Sequence, residues 1–299
     1  MSSTELLPGA ATAGRAGARE PAAVVRGNLR FLRNELRLVF FRRRNQLLLG
    51  VVALFPLLIG IGLKAASPHG GGGNGPGATF FNQLAGNGVF LTFTALTLLL
   101  ILVLPVAVSV ISGDSVAGEA GYGTLRYLLA VPAGRTRLLV VKYLAIVAFA
   151  VAAVFAVSVV ALLVGVILFP VGPVTLLSGT TISLGAGLVR VLLVTLYICA
   201  AMAAVGAIGM AISTFTEHAI GAIAATMILV VASEVVDQIP QFATVAPYLP
   251  THWWNMFDSL LRTPVDTTTL WHGLLSFGVY AGLFCLIAWA RFTSADVTS

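Results

Sequence analysis

Residues Ser112–Ala145 read SGDSVAGEAGYGTLRYLLAVPAGRTRLLVVKYLA. They hold two acids, Asp114 and Glu119, and four bases, Arg126, Arg135, Arg137 and Lys142. The chain on either side is oily: Val89–Ile111 leads into the stretch and Leu138–Phe169 leads out of it. Runs of roughly 20 apolar residues are long enough to cross a bilayer as helices. A charged, helix-prone island between two such runs reads as a segment at one membrane face.

Composition agrees with that reading. Of 299 residues 58% are hydrophobic and only 9% are charged, where a soluble domain carries about 25%. Mean hydropathy is +0.99. Polar side chains are too few to cover a water-soluble globule, so the chain is expected to be an integral membrane protein. Six runs qualify as spans: Gln46–Leu63, Val89–Ile111, Leu138–Phe169, Leu184–Ile212, Ala219–Val236 and Leu270–Ala290. The third and fourth, at about 30 residues each, tilt or extend beyond the bilayer. None alternates polar with apolar residues, which selects helices over a membrane barrel. The expected fold is all-α with six transmembrane helices. A flexible tail, residues 1–24, precedes a single membrane domain, residues 25–299. The tail lacks the short apolar core of a cleavable signal.

Orientation follows from the bases. Nine arginines precede the first span: Arg15, Arg19, Arg26, Arg30, Arg33, Arg37, Arg42, Arg43 and Arg44. Arg126, Arg135, Arg137 and Lys142 lie between the second and third spans, and Arg291 follows the sixth. Only Lys64, Arg190 and Arg262 fall on or near the other side. Both termini and the opening stretch are therefore expected in the cytoplasm, with the protein in the plasma membrane. The formal charge of +6 is accounted for by bases beside apolar runs, which suits membrane lipid and not nucleic acid. Just before the first span, Val25, Leu29, Leu32, Leu36, Val39 and Phe40 share one sector of a helix, and Arg26, Arg30, Arg33 and Arg37 form the neighbouring stripe. Two roles fit such an interfacial helix: an anchor on lipid headgroups, or an elbow that receives force from a partner.

In the opening stretch, Gly113 and Asp114 are suited to end the second span and cap a new helix. That helix would run from Glu119 to Ala130, interrupted at Gly121 and Gly123, before Pro132 and Gly134 turn the chain. Leu125, Leu128 and Leu129 then need cover from water. Asp114, Glu119, Gly123-Thr124-Leu125, Leu129, Pro132, Arg135 and Lys142 together resemble the signature of ABC transporter permeases of the ABC-2 class, whose pattern is E-x-x-x-G-T-L followed by L-x-x-P. The basic interfacial helix, six spans and oily segment before the sixth extend the likeness over roughly Leu29 to Arg291. It implies a dimer with a second permease, the same chain or a different one. It also implies two copies of a separate ABC ATPase below the membrane. The segment between spans two and three would be the coupling helix, with Asp114, Glu119, Gly123, Thr124, Leu125 and Arg126 as its residues. The structural alternative is that Glu119 caps a turn and Arg126 snorkels to the interface.

No G-x-x-x-x-G-K-[ST] occurs in the chain. Such a subunit would be no enzyme itself and would hold no cofactor. ATP and Mg would be bound by the partner ATPase. The function implied is export of a hydrophobic or amphipathic cargo. Two alternatives stand beside it: an ATP-independent transporter or channel, which needs ion-coupling residues at mid-membrane, and a non-transporting scaffold.

The remaining signals are smaller. Arg190 in span four and Glu234 and Asp237 at the end of span five suggest an ion pair in the outer leaflet, since unpaired charge in hydrocarbon is costly. Ala200, Ala201, Ala203, Ala204, Gly206, Ala207 and Gly209 in span four, and Gly278-x-x-x-Gly282 in span six, suit close helix packing. Pro56 and Pro105 are candidate kinks. The segment before span six, rich in Pro and aromatics, reads as a re-entrant outer segment of short helices with Trp253 and Trp254 at headgroup depth. Cys199 and Cys285 and four dispersed histidines show no metal spacing.

Overall fold

The computed structural model describes residues 21–66, 87–121, 134–176 and 178–294. The described chain is nearly all helix: α1 (Pro21–Phe41), α2 (Arg43–Ala66), α3 (Phe90–Ile101), α4 (Val103–Gly121), α5 (Arg135–Leu168), α6 (Leu184–Ser213), α7 (Ala219–Asp237) and α8 (Thr267–Ser294). Six of these, α2 and α4 to α8, are long and apolar enough to cross a membrane.

The second apolar run differs from its expected form. It is two helices, broken at Leu102, where φ is −140° and ψ −50°. Pro105 is the cause: it has no N–H to offer the Ile101 carbonyl, and its ring crowds that oxygen. Helical bonding resumes where Val106 N–H donates to Leu102 O at 2.9 Å. Pro56 sits inside a continuous α2. The far end of the run is corrected as well. Gly113 and Asp114 do not terminate the helix, because α4 continues through both of them to Gly121. At 1.5 Å per residue, α3 and α4 together extend roughly 48 Å and α5 roughly 51 Å, well beyond a hydrocarbon core of about 30 Å. Both helices therefore carry charged turns past the apolar slab at the same end, the end where α1 lies.

Packing places α6 at the centre. Its apolar stretch is 72% buried, against 17% for α2 and for α8. It touches α4, α5, α7 and α8, while α2 packs on α5 and α3. The small residues of span four account for this position. A Cβ on Gly206 would stand 2.6 Å from the Ile146 side chain, and one on Gly209 would overlap Ser112 Oγ at 2.0 Å. Gly278 and Gly282 behave otherwise: a Cβ on either meets nothing within 4 Å, so they bring no described helix close. Phe149, Ile146, Leu104, Ile198, Phe277 and Trp254 are among the large side chains fully enclosed in the core.

At the end away from α1, α5 stops at Leu168, just before Pro170 and Pro173. A two-stranded antiparallel hairpin follows, pairing Val174 with Ile182 and Thr175 with Thr181. Its turn needs Gly179, which has φ +78°. Ser183 caps α6 by accepting from Ala186 N–H at 3.3 Å. Between α7 and α8 the chain makes 3-10 turns at Pro240–Phe242, Ala246–Tyr248 and Trp254–Leu261. Trp254 is 2% exposed and belongs to the core.

Candidate functional site

The long ends of α4 and α5 meet the end of α1, and their charges are paired across that junction. Asp114 of α4 accepts from two arginines at the α1–α2 elbow: Arg42 Nη1 at 2.9 Å and Arg44 Nη2 at 2.8 Å, both on Oδ2. One helical turn further on, Glu119 Oε1 lies 2.6 Å from Lys142 Nζ of α5, and Glu35 Oε1 of α1 lies 3.2 Å from the same nitrogen. Lys142 is only 3% exposed. An ammonium removed from water costs several kcal/mol unless its charge and donors are matched. Two carboxylates from two different helices match it here. Three acids and three bases balance, and they wall a cleft of about 230 Å³.

Contacts other than ion pairs fix the same junction. Buried Asn45 donates from Nδ2 to Val39 O at 2.8 Å, closing the last turn of α1 at the elbow. The Phe40 and Phe149 rings lie 6.1 Å apart, and the Arg137 guanidinium stands 5.6 Å from the centre of the Phe31 ring. Ser213, in the last turn of α6, reaches into α4. Its hydroxyl donates to Gly113 O at 2.8 Å and accepts from Ala117 N–H at 2.8 Å and Val116 N–H at 3.2 Å. Gly113 O and Ala117 N are the two ends of one helical hydrogen bond, so a side chain from span four is inserted at that rung of span two. Gly113 is required on its other side too, because a Cβ there would come within 2.9 Å of Ile223 N in α7. The start of α5 is in turn tied to the end of α8. Arg135 Nη1 donates to Thr293 O at 2.9 Å, and Trp289 Nε1 donates to Thr136 Oγ1 at 2.9 Å.

Residues 73–298 match a family whose description is a protein of unknown function, DUF2705. The chain belongs to the DUF2705 family. No protein of curated function matches it. The matched region of this DUF2705 protein contains Asp114, Glu119 and Lys142. Their partners Glu35, Arg42 and Arg44 stand N-terminal to it.

Of the residues singled out in the sequence, Asp114 and Glu119 lie in this junction. Gly123, Thr124, Leu125 and Arg126 lie outside the described residues. Arg26 is on α1, and Arg30, Arg33 and Arg37 are exposed there. The expected pairing of Arg190 with Glu234 or Asp237 is not formed. Arg190 instead donates to Leu260 O at 2.6 Å, to Arg262 O at 3.2 Å and to Thr263 Oγ1 at 3.3 Å. Leu260 O lies in the last turn of the 3-10 segment Trp254–Leu261, and the other two oxygens follow just beyond its end. Asp237 is taken by His252, Nδ1 to Oδ1 at 2.6 Å. The sequence reading missed Glu35, Arg42, Arg44, Asn45 and Ser213. Only Glu35 carried a signal: it is an acid flanking the apolar sector of a helix otherwise stocked with arginine.

Proposed function

We propose that this chain is the membrane subunit of an ATP-driven exporter of the ABC-2 permease kind. In this reading residues 122–133, between α4 and α5, form the coupling segment and dock on a separate ATPase in the cytoplasm. ATP-driven closure of two such ATPases would press that segment and move the spans around a seam between two permeases. A hydrophobic or amphipathic cargo would then leave at the outer face. The segment Trp254–Leu261, held by Arg190, would be the re-entrant outer element.

One observation supports the reading above the rest. The two helices that bracket residues 122–133 are joined to α1 by the Lys142–Glu35–Glu119 contacts and to the α1–α2 elbow by the Asp114–Arg42–Arg44 contacts. A push on the segment would be delivered to α1, α4 and α5 together and passed through Ser213 to α6, the centre of the bundle. An ordinary surface loop needs no such bracing of its ends. No charged partners of this kind are seen at mid-membrane among the described residues, where an ion-coupled transporter would require them.

The test is copurification. The full chain, extracted gently from its own cells, should bring with it a subunit that hydrolyses ATP. Leu125→Asp, which would put a carboxylate into an apolar socket, should release that subunit while the permease remains folded. A chain that retains transport with no ATPase bound would overturn the proposal.

A further inference from the structure

The elbow helix α1 has two faces. Phe31, Leu32, Glu35, Leu36, Val39 and Phe40 are half-buried, and Phe31, Val39 and Phe40 pack on the core. The opposite face carries Arg30, Arg33, Asn34, Arg37, Leu38 and Phe41, all of them exposed. That face combines two features that water alone does not favour. Leu38 is 56% and Phe41 71% open, and both lie among arginines. Among the described residues, no carboxylate lies within ion-pair distance of Arg30, Arg33 or Arg37.

The two features meet in a shallow cleft of about 410 Å³, lined by Asn34, Arg37, Leu38, Phe41 and Arg42. The Arg37 guanidinium stands 5.9 Å from the centre of the Phe41 ring. Beyond the elbow the first turns of α2 are apolar and exposed as well, at Leu47, Val51 and Leu54. The cleft thus has cationic donors at one level and an oily floor that leads toward a membrane span. A soluble anion has no use for exposed leucine and phenylalanine, and a zwitterionic headgroup gains little from a face of exposed arginines.

We propose that this cleft seats one anionic phospholipid. Its phosphate lies on the guanidinium of Arg37, with Arg33 a turn away, and the glycerol end of its acyl chains rests on Leu38 and Phe41. A guanidinium presents parallel N–H donors that match two phosphate oxygens, which a diffuse layer of counterions does not require. Each base beside an anionic headgroup strengthens binding about fivefold.

The experiment titrates the full chain in detergent with phosphatidylglycerol and with phosphatidylcholine of the same acyl chains, and counts retained lipid by native mass spectrometry. Phosphatidylglycerol should be held at least about tenfold more tightly, as the summed effect of more than one base. Arg37→Gln should reduce that affinity about fivefold, and Leu38→Ser should weaken both lipids. Arg43→Gln removes the same charge from an exposed arginine that does not line the cleft, and should leave retention unchanged. Arg37 and Arg43 are both exposed, so neither change disturbs folding, which circular dichroism checks. Equal retention of the two lipids would overturn the proposal. So would equal losses from Arg37→Gln and Arg43→Gln, which mark a diffuse basic surface. Binding of soluble glycerol phosphate as tight as that of the lipid would overturn it too, since the apolar floor would then have no part.

Discussion

Lys142 is the side chain on which the junction turns. It is buried at 3% exposure and matched by carboxylates from α1 and α4. Removing one member of a buried charge set costs far more than the set contributes, because the others are left uncompensated. Lys142→Met should therefore destabilise the chain by about 3 kcal/mol, read as a lower melting temperature in detergent. Adding Glu35→Leu and Glu119→Leu should recover part of the loss. A Lys142→Met chain that melts like the parent would contradict the assignment. Ser213 makes a second prediction at this scale. Its hydroxyl is fully buried and serves three α4 backbone groups, so Ser213→Ala should cost about 1–2 kcal/mol. The burial of Lys142 and the reach of Ser213 into α4 were not legible. Lys142 entered the sequence reading as one base of the permease-like pattern, and Ser213 was not singled out. What made them special is the distance between sequence-remote helices, and no local pattern records that.

At the scale of elements, Asp114 holds the α1–α2 elbow against α4 through two arginines. Asp114→Arg should release the elbow and expose α1 to proteolysis. Combining it with Arg42→Asp and Arg44→Asp should restore protection, because the pairing is a matter of charge and reach. Failure of the triple variant to recover would argue that the contact is incidental. The start of α8 gives a prediction in pH. Asp266 is held below the usual carboxylate range, first by the Thr269 hydroxyl and then by backbone N–H groups of Thr269 and Thr268. Its Oδ1 accepts from Thr268 N–H at 3.1 Å and from Thr269 N–H at 3.3 Å, an N-cap. The folded pKa is depressed, so the cap is fully effective above the unfolded value near ~3.9 and is lost as pH falls through the folded value. Asp266→Asn should abolish that part of the acid dependence of melting and leave melting at neutral pH nearly unchanged. Element boundaries were readable where a single residue dictates them. Pro105 marked a disturbance in span two, and the structure places the break three residues before it. Gly113 misled the reading because glycine serves helix ends and close helix contacts alike. Here it serves the contact, with Ile223 of α7 against it.

For the whole molecule, hydropathy alone was sufficient to find six helices long and apolar enough to cross a membrane, since each apolar run is decided within its own length. The three-dimensional arrangement was not, because helix order around α6 depends on which faces carry small residues and which carry lipid-facing bulk. Arg190 shows the same limit: its need for partners was evident, but backbone carbonyls at 260 and 262 carry no sequence signature and outcompeted the acids of α7. The proposed role rests on one arrangement at this scale, a braced segment on the cytoplasmic side that can meet an ATPase. The direct measurement is the sidedness of that segment. Thr124→Cys, in a chain with Cys199→Ser and Cys285→Ser, is labelled with a membrane-impermeant maleimide in sealed cells and in inside-out vesicles. Labelling confined to inside-out vesicles, and blocked when the ATPase is bound, is the predicted result. Labelling from outside intact cells would place the segment where no ATPase could reach it and would contradict the account.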